Sequence, residues 1–186
     1  MGQNKAMLPF MGQPLIGRVI KRVESIAQEV LVTTNEPELY TSLGLPLFSD
    51  IMPGFGALGG LLTALTVASQ PYVAVVACDM PFVNPALISA EFELLISTNY
   101  DIVVPRSAEE LEPFHAVYRR ESCLPAIKLA LESNQKRIIS WFPAMRVKEL
   151  RPDETRRYDP AGLAFMNINT TADLSEAECL AALHDD

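Results

Sequence analysis

Asp79 is the residue whose position in this sequence speaks most directly of chemistry. It closes an apolar run, Tyr72-Val73-Ala74-Val75-Val76-Ala77-Cys78, and is followed by Met80-Pro81. A run this uniformly apolar reads as a parallel strand covered on both faces. Open parallel sheets bind their ligands outside the carboxyl ends of the strands. A carboxylate there can ligate Mg²⁺, or it can cap the following turn. Asn35 and Asp50 also fall at expected strand ends. Asn35 opens Asn-Glu-Pro, which is equally helix-start chemistry. Asp50 precedes a Pro/Gly stretch and is equally an Asx-turn residue. Lys5 can meet a phosphate as a point charge or stay solvated. Asn167 and Asn169 project to one side of an extended segment, where their carbonyls can join a metal shell or begin the helix at Thr170. His115 lies in an apolar strand with no nucleophile at suitable spacing, and it reads as structural. Trp141 and Phe142 read as packing.

The elements that must position these residues alternate at short intervals. Leu15, Ile16, Val19, Ile20, Val23, Ile26 and Ala27 recur at helical spacing, so residues 14–27 form a helix with Arg18, Lys21, Arg22 and Glu24 on its polar side. Pro14 suits its first turn. Residues 29–33 and 45–48 read as strands, and residues 37–43 as a short helix. Residues 53–60 hold four of the nine glycines and read as a loop, with a helix over 61–68. The strand at 72–77 follows. Asn84-Pro85 is an N-cap and first-turn proline opening a helix to about 98. Strands are expected at 101–105, 114–119, 145–150 and 164–167, and helices at 122–131, 137–142 and 170–183. The alternation in the first half implies βαβ units and a three-layer α/β sheet, mostly parallel. The second half adds an antiparallel element. No repeat or linker interrupts residues 1–186, which read as one domain.

Composition narrows the partners. The chain has 186 residues, 49% hydrophobic and 20% charged, with a formal net charge of −8, which argues against a nucleic-acid binder. It leaves room for a nucleotide, because a divalent metal can join carboxylates to phosphates. Cys78, Cys123 and Cys179 are dispersed and odd in number, as in a reduced, cytoplasmic protein. With only His115 and His184 there is no zinc-like spacing. No apolar run reaches the ~18 residues of a membrane span, and the first residues do not form a secretory signal. Eleven of the fifteen basic residues lie within 101–160, among them Arg119, Arg120, Arg146 and Arg151. That is where a second anionic substrate would be met, against the alternative of a mixed-charge solvated surface.

Met1-Gly2-Gln3-Asn4-Lys5-Ala6-Met7-Leu8 with Gly12-Gln13-Pro14-Leu15-Ile16 resembles the start of the molybdenum cofactor nucleotidyltransferases. In those proteins a segment like LAGGxSxRMGxxKAxLxxxGxPLI wraps a triphosphate. Thr34-Asn35, Asp50, Gly56-Ala57-Leu58-Gly59-Gly60, Ala77-Cys78-Asp79-Met80-Pro81-Phe82, Glu112-Pro113-Phe114-His115-Ala116-Val117-Tyr118 and Phe165-Met166-Asn167-Ile168-Asn169-Thr170 extend the resemblance nearly end to end. The glycine stretch and the closing segment look most like the guanylyltransferase branch. The resemblance implies a Rossmann-like nucleotidyltransferase sheet and transfer of GMP from GTP to the molybdenum-molybdopterin cofactor, with release of pyrophosphate. By position, Lys5 matches the phosphate-contacting lysine, and Asn35 and Asp50 match GTP-binding positions. Asp79 matches the Mg²⁺-binding, nucleotide-contacting aspartate, and Asn169 a second residue of the metal shell. The implied partners are GTP, the cofactor, and chaperones or cofactor-insertion proteins of molybdoenzymes, around a monomer. Cytidylyl transfer to the same cofactor is the nearest alternative, and a catalytically degenerate binding module is another. The family's LAGGxSxR has no counterpart, since Met1 falls at that segment's methionine. The expectation is therefore a sheet without its first, central strand, and weak or absent transfer.

Overall fold

The structure is a computed structural model, and it describes residues 5–108 and 110–184. Met1, Gly2, Gln3 and Asn4, which open the resemblance, lie outside the described residues. A 3₁₀ turn, Lys5–Met7, leads into a small hairpin of β1 (Pro9–Phe10) and β2 (Gln13–Pro14). Met11 and Gly12 turn this hairpin at φ 48° and 80°. Helix α1 (Leu15–Val23) then buries Leu15, Ile16 and Val19. It ends earlier than the periodicity predicts. Ile26, expected on the buried stripe, is exposed instead, so no packing holds a further turn together.

Strands β3 (Val32–Thr33) and β4 (Leu47–Phe48) pair in parallel. Both are shorter than expected, and the segment between them forms two 3₁₀ turns rather than one helix. Helix α2 spans Gly56–Val67, so Gly56, Gly59 and Gly60, expected in a loop, lie in its first turns. After β5 (Tyr72–Val76) comes α3 (Pro85–Ser97), where the Asn84 side chain accepts from the Leu87 N–H as the N-cap expected. β6 (Ile102–Pro105), β7 (His115–Arg119), α4 (Arg120–Glu132), β8 (Val147–Leu150), α5 (Pro152–Thr155) and α6 (Thr171–His184) complete the order. Residues 137–141 form a bend and turns rather than the expected helix, a 3₁₀ turn follows at Phe142–Ala144, and 164–167 form no strand. There Asp159 accepts from the Leu163 and Ala164 N–H groups, and Ile168 N–H goes to Asp79 O. Ala164 N–H is spent on that turn and Met166 N–H on another, to Leu163 O, so neither is available to a ladder.

The larger sheet has the order β5-β7-β6-β8. β7 runs antiparallel to both β5 and β6, and β6 runs parallel to β8. Three of its strands therefore point one way, with β7 as the antiparallel addition. Alternation along β6 and β7 splits the core into two layers around the sheet. Ile102, Val104 and Tyr118 pack toward α2 and α4 with Leu58, Leu61 and Ile127. Val103 and Val117 pack the other way with Val19, Leu87 and Leu95 of α1 and α3.

β5 departs from its sequence reading. Among the described residues it pairs on one edge only, and it is half-buried to exposed, although β6 is buried throughout. On its other side a channel of about 1000 Å³ separates it from β3, bounded by Val19 and Ile20 of α1, Leu61 and Ala64 of α2, and Ile88 and Phe92 of α3. Among the described residues no strand lies between β3 and β5. No helix among them is long and apolar enough to cross a membrane.

Candidate functional site

The turn that follows β5 is built by backbone closure. Ala77 N–H reaches Phe114 O, and Met80 N–H returns to Ala77 O at 3.4 Å. These bonds leave Asp79 half-buried at the mouth of the sheet. Its carbonyl accepts from Ile168 N–H at 3.0 Å, which brings the segment before α6 alongside. Asn169 is the next residue. Its own N–H and that of Thr170 donate to Asp173 Oδ2, both at 2.8 Å, while Asp173 N–H donates to Thr170 Oγ1. Those N–H groups hold the Asp173 carboxyl below the usual carboxylate range. The Thr170-x-x-Asp173 spacing that does this is a capping pattern visible in the sequence.

So fixed, Asn169 accepts a hydrogen bond at Oδ1 from Lys5 Nζ at 2.8 Å. Lys5 also lowers the cost of ionising Asp79. Burial raises the Asp79 carboxyl above its ordinary value, against the pull of its own backbone N–H and of the Lys5 charge. Lys5, Asp79 and Asn169 thus converge, although Lys5 and Asn169 stand 164 positions apart. A carboxylate short of solvent next to a primary ammonium is prepared for a polyanion carrying a hard cation. Among the described residues no group of three or more His, Cys, Asp or Glu gathers as a metal cage. Lys5 occupies one lone pair of the Asn169 carbonyl, and a carbonyl has a second for a cation.

Asn35 and Asp50 form a second group, at the ends of the paired strands β3 and β4. Asn35 Nδ2 donates to Asp50 Oδ2 at 2.9 Å, and Asp50 N–H donates to Asn35 Oδ1 at 3.0 Å. This reciprocal pair fixes both side chains. Ile51 N–H bonds Thr63 Oγ1 of α2, whose hydroxyl donates to Gly59 O. A Cβ on Gly59 would stand 2.9 Å from Met52 O, and a Cβ on either Gly59 or Gly60 would approach the Asp50 carboxylate to 3.8 Å. The two glycines therefore let the Asp50 turn lie against the start of α2, where helix N–H groups favour negative charge.

Several side chains differ from their sequence reading. Arg18 and Arg22, expected on the solvated side of α1, turn inward: Arg18 Nε donates to Pro81 O and Arg22 Nε to Val83 O. The basic cluster of 101–160 is largely engaged in structure. Arg119 and Arg120 donate to backbone carbonyls, Arg146 pairs with Asp101, and Arg151 sits with Asp153 and Glu154. His115 is structural as expected, between Glu91 and Asn84. Trp141 and Phe142 belong to the core.

Residues 1–147 match the family of MobA-like NTP transferase domains. A probable molybdenum cofactor guanylyltransferase of Pelotomaculum thermopropionicum is 35% identical over 181 residues, which is 97% of this chain and 87% of the relative. The molybdenum cofactor guanylyltransferase of Desulfosudis oleivorans is 33% identical over 95% of this chain and 87% of its own. Among solved structures, molybdopterin-guanine dinucleotide biosynthesis protein A from Archaeoglobus fulgidus superposes with a TM-score of 0.85 at 22% identity, covering 98% of this chain and 92% of that one. The 2-C-methyl-D-erythritol 4-phosphate cytidylyltransferase of Thermus thermophilus has the same fold, with a TM-score of 0.73 at 20% identity over 96% and 94% of the two chains. A carboxylate, an ammonium and an amide gathered at the end of β5 sit in the fold that such nucleotidyl-transferring enzymes use, and this chain belongs to the MobA-like NTP transferase family, alongside the molybdenum cofactor guanylyltransferases.

Proposed function

We propose that this chain transfers GMP from GTP to the terminal phosphate of the molybdenum-molybdopterin cofactor, forming molybdopterin guanine dinucleotide and pyrophosphate. The carrying observation is the convergence of Lys5 and Asn169 on Asp79, in a chain one-third identical to proteins named for that transfer. The cofactor's phosphate oxygen attacks the α-phosphorus, and the bond to the β-phosphate breaks. The nucleophile is already ionised, so no general base is required. The site must instead align the phosphates and oppose their charge. Lys5, seated on Asn169, neutralises phosphate charge. Mg²⁺ held by Asp79, with Asn169 beside it, would supply Lewis-acid stabilisation to the same phosphates.

The Asn35–Asp50 pair supports guanine over cytosine. An ionised carboxylate only accepts hydrogen bonds. The Watson–Crick edge of guanine presents an adjacent imino and amino donor pair, whereas that of cytosine presents one donor beside two acceptors. The free thiols Cys78, Cys123 and Cys179 fit a reducing, cytoplasmic setting. We take the working unit to be a monomer that delivers its product to molybdoenzyme chaperones or insertion proteins.

The test is thermal stabilisation by nucleotide with and without Mg²⁺, together with pyrophosphate release in the presence of cofactor. GTP with Mg²⁺ is expected to stabilise the chain more than CTP, and Asp79→Ala to remove the Mg²⁺-dependent part. Equal stabilisation by CTP would defeat the guanine reading, and an unchanged Asp79→Ala would defeat the site.

A further inference from the structure

The loop that follows Asp79 is buried from Met80 to Val83. Buried carbonyls need donors, since water cannot reach them. Pro81 O takes its donor from Arg18 Nε at 2.9 Å, and Val83 O takes its donor from Arg22 Nε at 2.7 Å. Both donors come from one face of α1, one helical turn apart. Arg18 does more than this. It is 8% exposed, and its guanidinium carbon lies 5.1 Å from the Phe10 ring centroid and 5.5 Å from that of Phe82. The two rings themselves meet edge to face at 6.4 Å.

Phe10 belongs to β1, in the hairpin that follows Lys5. Phe82 belongs to the loop that follows Asp79. One buried cation thus touches both arms of the site, the arm carrying the ammonium and the arm carrying the carboxylate. A guanidinium suits this task because it offers a flat face to an aromatic ring while its edge donates a directed hydrogen bond. A lysine ammonium can keep the charge but cannot do both at once.

We infer that Arg18 is a positioning residue for the transfer site, which fixes the Lys5 hairpin and the Asp79 loop in one register. This rests on the reading of Lys5 and Asp79 as phosphate and metal groups. Arg18 does not itself meet the nucleotide. It sets the distance at which Lys5 and Asp79 meet it.

The experiment compares wild type, Arg18→Lys, and Ile127→Val, a core change in α4 remote from both arms. Hydrogen exchange is measured over residues 5–16 and 79–84, and Mg²⁺-GTP affinity by calorimetry. Arg18→Lys is expected to speed exchange in both segments together and to weaken Mg²⁺-GTP binding roughly ten-fold, the scale on which outer-shell partners of metal sites act. Ile127→Val, brought to the same loss of thermal stability by mild denaturant, is expected to move neither. Exchange that stays at wild-type rates in either segment would overturn the inference. So would a binding loss that Ile127→Val reproduces at matched stability. Loss of the site reading shows differently: Asp79→Ala would then bind Mg²⁺-GTP like wild type, while the exchange arm still decides whether Arg18 couples the two segments.

Discussion

Glu91 and His115 are both fully buried, and His115 Nδ1 lies 3.2 Å from Glu91 Oε1. His115 Nε2 accepts from Asn84 N–H at 3.3 Å, so the ring proton sits on Nδ1 and points at Glu91. Glu91 Oε2 finds no hydrogen-bonding partner among the described residues. Burial pushes the Glu91 carboxyl up to about 7, against the lowering effect of the His115 hydrogen bond. A carboxyl raised on folding binds its proton more tightly in the native state. Its contribution is therefore fully present below the unfolded value of 4.5 and is lost as pH rises through about 7. Glu91→Gln removes this titration. Denaturant midpoints of wild type and Glu91→Gln should diverge between pH 4.5 and 7, with wild type losing ground as pH rises. Parallel curves across that window would show that Glu91 does not carry its proton into the neutral range. At this scale the sequence is legible where one residue stands out against its neighbours. Asp79 does so, because it ends an apolar run. Arg18 does not. Its neighbours at helical spacing mark α1 as amphipathic, and a cation on the polar side reads as solvated until Pro81 and Phe82 arrive from another element.

Among the elements, α2 shows most clearly how packing overrides local preference. Glycine is the poorest ordinary helix former, by about 1 kcal/mol against alanine, and residues 53–60 read as loop on that ground. Yet α2 begins at Gly56, because Gly59 and Gly60 admit the Asp50 turn against the helix. The two glycines should respond in opposite ways to alanine. At Gly60 the new Cβ meets only Asp50 Oδ1 at 3.8 Å, an ordinary contact, and Gly60→Ala should be neutral or stabilising by up to about 1 kcal/mol. At Gly59 it meets backbone Met52 O at 2.9 Å, so the 50–55 segment must move. Gly59→Ala should destabilise the chain and weaken GTP binding, and thermal melts of both variants decide it. A Gly59→Ala that behaves like Gly60→Ala would mean the close approach does not matter. Helix α3 was legible to its first residue, since Asn84-Pro85 carries its own start signal. The early end of α1 and the absence of a strand at 164–167 were not. Both depend on what lies alongside, and a local pattern does not state that.

At the scale of the molecule, β5 holds the most strand-like stretch of the sequence and yet borders open space. An edge that no strand among the described residues covers, with an apolar channel beside it, invites further association. The channel should bind a hydrophobic dye under native conditions, with near-UV dichroism intact to exclude a molten state. Ala74 is exposed on β5 and lines the channel. Ala74→Phe should reduce dye fluorescence and raise the melting temperature. A wild type that leaves the dye dark would show that the channel is closed in solution.

The hydrogen bond between Lys5 and Asn169 has a consequence in time as well as in space. Its partners stand 164 positions apart, and those of the bond from Met11 N–H to Glu178 Oε1 stand 167 apart. On a ribosome, Lys5 and the Asp79 loop emerge long before the segment that seats them. Until residues 168 and 169 clear the exit tunnel, the Asp79 carbonyl lacks its donor and the ammonium lacks its amide. A nascent chain would therefore have the sheet before it has the Lys5–Asn169–Asp79 cluster, and that cluster would assemble only as the segment before α6 docks.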